Sequence, residues 1–224
     1  MSALRVVLIA EGSGEVRPNP LRGPLSTIPV DDWGPGHVLF ARAIAARSKV
    51  PRAALRFSEP LRTVRGGIAR GSSLHGKTLR VLLNYQPVDR PDLIIVLVDA
   101  DGDPSRKRFL DELVADMPGT KLIAVAVQEF ESWLLSDGDA LAAVLGVDPA
   151  RTPQHPEKLA RAEAKALLQA MSSAAEDPAS ARLSLAGAAR PRFSGEEVQL
   201  LRDLSRRTQS PEALSRADQP RRAT

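Results

Sequence analysis

Three apolar runs of strand length are each followed at once by acid. "LRVVLIAEG" (residues 4–12) runs into Glu11, and "DLIIVLVDADGD" (92–103) runs into Asp99, Asp101 and Asp103. "KLIAVAV" (121–127) is followed by "QEFE", which holds Glu129 and Glu131. Short apolar runs bounded by Gly, Pro and acids read as buried strands, and the segments between them carry apolar residues at helical spacing. Strands alternating with helices predict an α/β fold: a Rossmannoid sheet, mainly parallel, with helices on both faces. Ligands in such sheets gather at the carboxyl ends of the strands, which is where these acids fall.

The rest of the chain fills in that frame. Pro and Gly dominate residues 12–36, which predicts a long loop inserted after Glu15, because Pro blocks both helix and central strand. Helices are expected over 37–49, 74–85 and 104–117, the last with Pro104 in its first turn. A second strand is expected over 52–59, and a helix over 128–146 with a break at "SDGD". We therefore expect an α/β domain over residues 1–147 with its insertion at 16–36. A helical extension should cover 148–210, including helices at 156–171 and 196–207, before a disordered tail at 211–224.

Composition narrows the function classes. With 224 residues, 43% hydrophobic and 26% charged, the chain reads as ordinary globular. No cysteine is present, which removes disulfides, thiolate metal sites and thiol nucleophiles, and which fits a cytoplasmic home. No signal peptide or membrane span is legible, so no membrane partner is expected. A formal charge of +4 leans toward polyanionic partners. Arg62, Arg65 and Arg70 in the Gly-rich "RTVRGGIARG" are candidates for binding nucleic-acid phosphates.

Carboxylates converging from several strand ends repel one another unless a cation joins them. Hard oxygen donors suit Mg²⁺ or Mn²⁺, which also contact substrate phosphates. We take Glu11, Asp99, Asp101, Asp103, Glu129 and Glu131 as the candidate metal set. An EF-hand is excluded because its sixth and twelfth positions, Gly and Glu, are here Pro104 and Leu110. "EGSGEV" lacks the G-K-[ST] of a phosphate loop, and Arg17 stands at the third glycine of G-x-G-x-x-G. A haloacid-dehalogenase-type phosphatase, with the first Asp of D-x-D-G as nucleophile, is the runner-up enzyme, although that motif ordinarily opens its fold. A metal-binding D-x-D of a glycosyltransferase suits so short a chain less well.

A strand ending "AEG" followed by a strand ending D-x-D resembles the Toprim fold of topoisomerases, primases, recombination mediators and related nucleases. With "AVQEFESWLL" added, the chain resembles the bacterial Toprim-like domain-of-unknown-function family 4276, whose members read "EGxGE … DADxD … EFExWLL". The likeness spans residues 4–135 and weakens beyond them, and the Pro-rich insertion departs from it. The resemblance implies Glu11 as general acid or base and sometimes a metal ligand, and Asp99 and Asp101 as the metal pair with Asp103 helping. Glu129 and Glu131 match the later acidic pair, of which one should face the metal. Lys165 sits where the family often has a lysine, near the scissile phosphate in nucleases of this type.

Trp133 is expected to anchor its helix by packing, and His37, His75 and His155 match no motif. Tyr85, the sole tyrosine, lies away from the acids, so water rather than a tyrosine hydroxyl is the expected nucleophile. The reading is then an Mg²⁺-dependent nuclease acting on DNA in preference to RNA. The resemblance also implies an anti-phage effector working with a separate ATPase partner, and a homo-oligomer is a further expectation. The alternative is a non-catalytic Toprim-like adaptor in a larger complex.

Overall fold

In a computed structural model, the structure describes residues 3–63, 65–84, 91–126, 129–160, 162–173, 175, 177–188, 195 and 198–203. Tyr85 and the expected disordered tail lie outside the described residues. The chain begins with β1 (Leu4–Ala10), a single turn α1 (Ser13–Val16), α2 (Pro35–Arg47) and β2 (Leu55–Ser58). There follow α3 (Gly76–Asn84), β3 (Leu93–Asp99), α4 (Arg106–Val114) and β4 (Lys121–Ala126). The last part is helical: α5 (Phe130–Leu135), α6 (Gly138–Leu145), α7 (Glu163–Ser172) and α8 (Pro178–Ala188).

The four strands form one sheet in the order β2-β1-β3-β4, and every pair is parallel. This is a Rossmann-like α/β architecture with a helical C-terminal extension. Successive side chains of a strand point to opposite faces, and here both faces are apolar and covered. Leu4, Val6, Leu8, Leu93, Ile95, Leu97, Leu122 and Ala124 point to one side. There they join Phe40 and Ile44 of α2, Leu134 of α5, Leu141 of α6, Leu168 of α7 and Leu185 of α8 in one buried cluster. Val7, Ile9, Ile94, Val96, Val98 and Ile123 point to the other side, onto Leu79 and Leu83 of α3 and Leu110 and Val114 of α4. Fully burying one such side chain is worth about 1.5–3 kcal/mol. Because Leu168 and Leu185 belong to the same cluster as the sheet, the extension packs as part of the main core.

Two local expectations are corrected. The strand expected over 52–59 contracts to β2, because residues Arg52–Ala54 take a 3-10 turn after Pro51. The helix expected over 156–171 splits into a 3-10 turn at Pro156–Lys158 and α7. Ala162, at φ 64°, adopts the left-handed conformation that separates them. Glu163 then reaches back to accept the Ala160 N–H at 2.8 Å. The Pro-rich insertion, for its part, is an ordered edge cover. Thr27 bridges Ser58 in antiparallel fashion, Ile28 N–H donates to the Phe57 carbonyl at 2.8 Å, and Glu59 N–H donates to Ser26. These contacts cap the exposed edge of β2, a common means of protecting an edge strand.

Among the described residues, no helix is long and apolar enough to cross a membrane.

Candidate active site

Strand order places β1 and β3 side by side, with the chain leaving β1 toward β2 on one side and β3 lying on the other. This is the point of the sheet where connections diverge and a crevice opens. Glu11 follows the last residue of β1, and its N–H continues the ladder to the Leu97 carbonyl at 3.0 Å. Asp99 is the last residue of β3. The Glu11 carboxylate therefore lies beside the end of β3. Its Oε2 accepts from the Asp99 backbone N–H at 3.2 Å and from Arg106 Nη2 at 2.8 Å, while Oε1 lies 3.3 Å from His75 Nε2.

Asp99 is the electrostatic centre. Its Oδ1 accepts the Phe130 N–H at 2.9 Å, so it caps the start of α5. Burial, then the like charges of Glu15, Glu11 and Glu131, push its carboxyl up to about 7. Glu15, on α1, is raised in the same way, by burial first and by the charge of Glu131 among the rest, and opposed by Arg182 and Lys165. Its Oε2 is buried without a hydrogen-bond partner. A Cβ on Gly12 would fall 2.4 Å from that oxygen, so the glycine is what leaves room for the carboxylate. Gly34 has a parallel use: its Cβ would meet the Glu15 carbonyl oxygen at 2.5 Å, where α2 begins against α1.

The other acids have separate surroundings. Asp101, in the left-handed conformation at φ 52°, places Oδ2 3.2 Å from Arg106 Nη1. Arg106 thus bridges Asp101 and Glu11 from the first position of α4 and is only 8% exposed. Asp103 is turned away: its Oδ1 accepts from both the amide and the hydroxyl of Ser105, which hold its carboxyl below the usual range. The pair after β4 divides. Glu131 is buried, contributes to the field at Asp99 and Glu15, and pairs with Arg182 Nη2 at 2.7 Å. Glu129 accepts the backbone N–H of Lys165 at 3.3 Å and so closes the first turn of α7. Lys165 itself is exposed, and its charge reaches Glu15.

Within the arginine loop, Arg62 is engaged with the chain's own backbone. Arg62 Nη2 donates to the carbonyls of Arg22 at 2.9 Å and Pro20 at 3.4 Å, fastening the insertion. Arg65 and Arg70 are exposed, and Gly71, next to Arg70, donates its N–H to the Glu11 carbonyl at 2.8 Å. Trp133 packs between Phe40 and Phe130, each with its ring centroid at 6.4 Å, as its expected anchoring role requires. His37 is fully buried, its Nδ1 accepting the Gly34 N–H at 3.0 Å at the start of α2.

Sequence reasoning missed Glu15, His75, Arg106 and Arg182. Glu15 stood in the quoted "EGSGE" and was passed over in favour of its glycines. The three basic side chains carry no motif, and only the packing of α3, α4 and α8 aims them inward.

Among the described residues, no set of three or more histidine, cysteine, aspartate or glutamate side chains is arranged to hold a metal ion. The donor chemistry nevertheless suits a hard divalent cation. The charges of Glu15, Glu11 and Glu131 all act on Asp99, and Glu15 offers a buried oxygen with no other partner. Comparison with protein-family models, curated proteins and solved structures finds no match to this chain.

Proposed function

We propose that the chain is a divalent-metal-dependent phosphodiesterase. More particularly, we read it as a Toprim-type nuclease of the cytoplasm that hydrolyses DNA in preference to RNA, with Mg²⁺ or Mn²⁺ as cofactor. The observation that carries this reading is the gathering of Glu11, Glu15, Asp99 and Glu131 where β1 and β3 end, where burial first and then like charge raise Asp99 to about 7. So unfavourable an arrangement is characteristic of a functional site. Asp99 and Glu15, whose buried Oε2 has no other partner, are the residues that would hold the ion, with Glu11 and Glu131 beside them. Such an ion, when bound, would supply polarisation of a phosphoryl oxygen and offset charge developing there.

The protein's own part in the reaction follows from its hydrogen bonds. Glu11 is fixed by the Asp99 N–H and Arg106, which leaves Oε1 facing the half-exposed His75 imidazole. That pair is placed to take the proton of an attacking water and pass it to solvent. Arg106 offers a positive charge near the same point for a phosphate oxygen. Asp101 supports Arg106. The direct test is cleavage of single- and double-stranded DNA and RNA in EDTA, Mg²⁺ and Mn²⁺. Metal-dependent cleavage by the wild type that Asp99→Asn abolishes is the expected result.

The adaptor reading keeps one observation in its favour. Arg106 and Arg182 already neutralise Glu11 and Glu131 from within the chain. An Asp99→Asn protein that matches an inactive wild type, and that still binds an ATPase or another partner, would favour it.

A further inference from the structure

A second feature opens beside the acids, on the side of α7 and α8. It is a cavity of about 270 Å³ whose wall includes Arg17, Lys165, Arg182 and Glu131, with Pro35 and Leu168 as its apolar part. The wall carries three cations and one carboxylate, that carboxylate is already paired with Arg182, and the charges of Glu15 and Asp177 reach the same cations from outside the wall. Among the described residues, neither the Arg17 guanidinium nor the Lys165 amine makes a hydrogen bond or an ion pair. Arg182 keeps a buried Nε with no hydrogen-bond partner. Arg17 is also held in the left-handed conformation at φ 44°, a state that non-glycine residues adopt at a cost.

A concave, water-accessible space with an excess of positive charge and a small apolar wall suits an anion joined to a compact organic body. Arginine and lysine together favour phosphate, through charge-assisted hydrogen bonds. Its size is at the small end of ligand cavities, which excludes a duplex and admits about one nucleotide unit. Glu131 belongs to both the cavity wall and the field at Asp99, so a ligand here lies against the proposed reaction centre.

Building on the reading that this chain acts on nucleic acid, we propose that this cavity binds the terminal phosphate-bearing nucleotide of a single strand. Arg17, Lys165 and Arg182 grip the phosphate, and the sugar and base lie against Pro35 and Leu168. The site thereby selects strand ends over internal positions.

The test is a binding measurement in EDTA, which removes any contribution from metal or hydrolysis. Fluorescent single strands of about 10 nucleotides, with a 5′-phosphate, a 3′-phosphate or neither, are titrated with wild type, Arg17→Gly, Lys165→Gln and Arg108→Ala. Arg17→Gly removes the charge while relieving the backbone, and Lys165 is exposed, so both variants should fold. Arg108, 80% exposed on α4, controls for loss of charge elsewhere.

One phosphorylated form should bind the wild type at least about tenfold more tightly than the unphosphorylated strand, a difference of about 1.4 kcal/mol. That advantage should be lost in Arg17→Gly and Lys165→Gln and kept in Arg108→Ala. AMP competing as well as the strand would assign the cavity to free nucleotides and overturn the strand-end proposal. Equal binding of all three strands, or an advantage that survives both cavity variants, would also overturn it. Phosphate-dependent binding by a protein that cleaves nothing would leave the cavity assigned and remove the nuclease reading alone.

Discussion

Arg106 Nη2 and Glu11 Oε2, 95 positions apart in the chain, meet at 2.8 Å where the two central strands end. The guanidinium is almost wholly buried and also holds Asp101. Glu11 thus has a cation of its own on one side and the crowded carboxylate of Asp99 on the other. Removing one member of such a pair leaves the partner's charge stranded in a poorly solvated place. Arg106→Ala should destabilise the fold by about 3 kcal/mol, read by urea unfolding at pH 7.5. Arg106→Lys should recover only part of that, because an ammonium cannot span both Glu11 and Asp101 in the planar fork geometry.

Asp99→Asn should act in the opposite direction. The native carboxyl is raised to about 7 from an ordinary 3.8, so the folded state holds its proton more tightly than the unfolded chain. Its contribution to stability is fully present below pH 3.8 and is lost as the pH climbs through 7. At pH 8, without metal, the folded protein carries the whole cost of the charge. Asparagine keeps an acceptor for Phe130 N–H and removes that cost, so the variant should be more stable by about 2 kcal/mol. The gain should disappear near pH 4. Millimolar Mg²⁺ or Mn²⁺ should raise the Tm of wild type and leave the variant unchanged. A variant less stable than wild type in EDTA at pH 8 would contradict the crowding of charge at Asp99.

Gly12→Ala probes the space under Glu15. The added methyl would lie 2.4 Å from Glu15 Oε2, so the carboxylate must move. We expect a loss of about 1–2 kcal/mol from overpacking, together with loss of the metal-dependent rise in Tm. Calorimetry of the variant with and without Mg²⁺ reads both effects.

His37 supplies a dependence on acid that is independent of the site. Burial lowers its ring from 6.5 to about 3 in the folded state. Between those values the unfolded chain binds a proton that the native protein refuses, so stability falls as pH drops, by up to about 1.4 kcal/mol per pH unit. Glu15 and Asp99, both raised, push the other way. The clean observable is therefore the difference in unfolding free energy between wild type and His37→Gln. That difference should be largest above pH 6.5 and should shrink steadily toward pH 4.

The sheet was legible in the sequence because its strands are buried on both sides. Leu93–Val98 has no polar position to blur the pattern, and Pro and Gly mark its borders. Glu11 and Asp99 were legible for a related reason, since a carboxylate after such a strand must emerge at one end of the sheet. Whether a given acid faces the cluster was not legible. Asp103 lies four positions from Asp99 yet folds back onto Ser105, and Glu129 differs from Glu131 only by a half-turn at the start of α5. Arg182 was beyond reach, because α8 carries no acid or motif that would aim its one arginine at residue 131. Such long-range pairings depend on how helices pack, and periodicity does not encode that.

The pairing of Arg182 with Glu131 also has a temporal side. On the ribosome, Glu11, Glu15, Asp99 and Glu131 are all made before the helix that supplies Arg182. The nascent sheet must therefore gather its four acids while one of their two arginine counter-charges is still unsynthesised. Leu185, which helps complete the apolar cover of the same sheet face, arrives equally late. Maturation of the crevice is thus tied to emergence of the chain's last quarter, and an interrupted product would present the acids with neither their final neutraliser nor their roof.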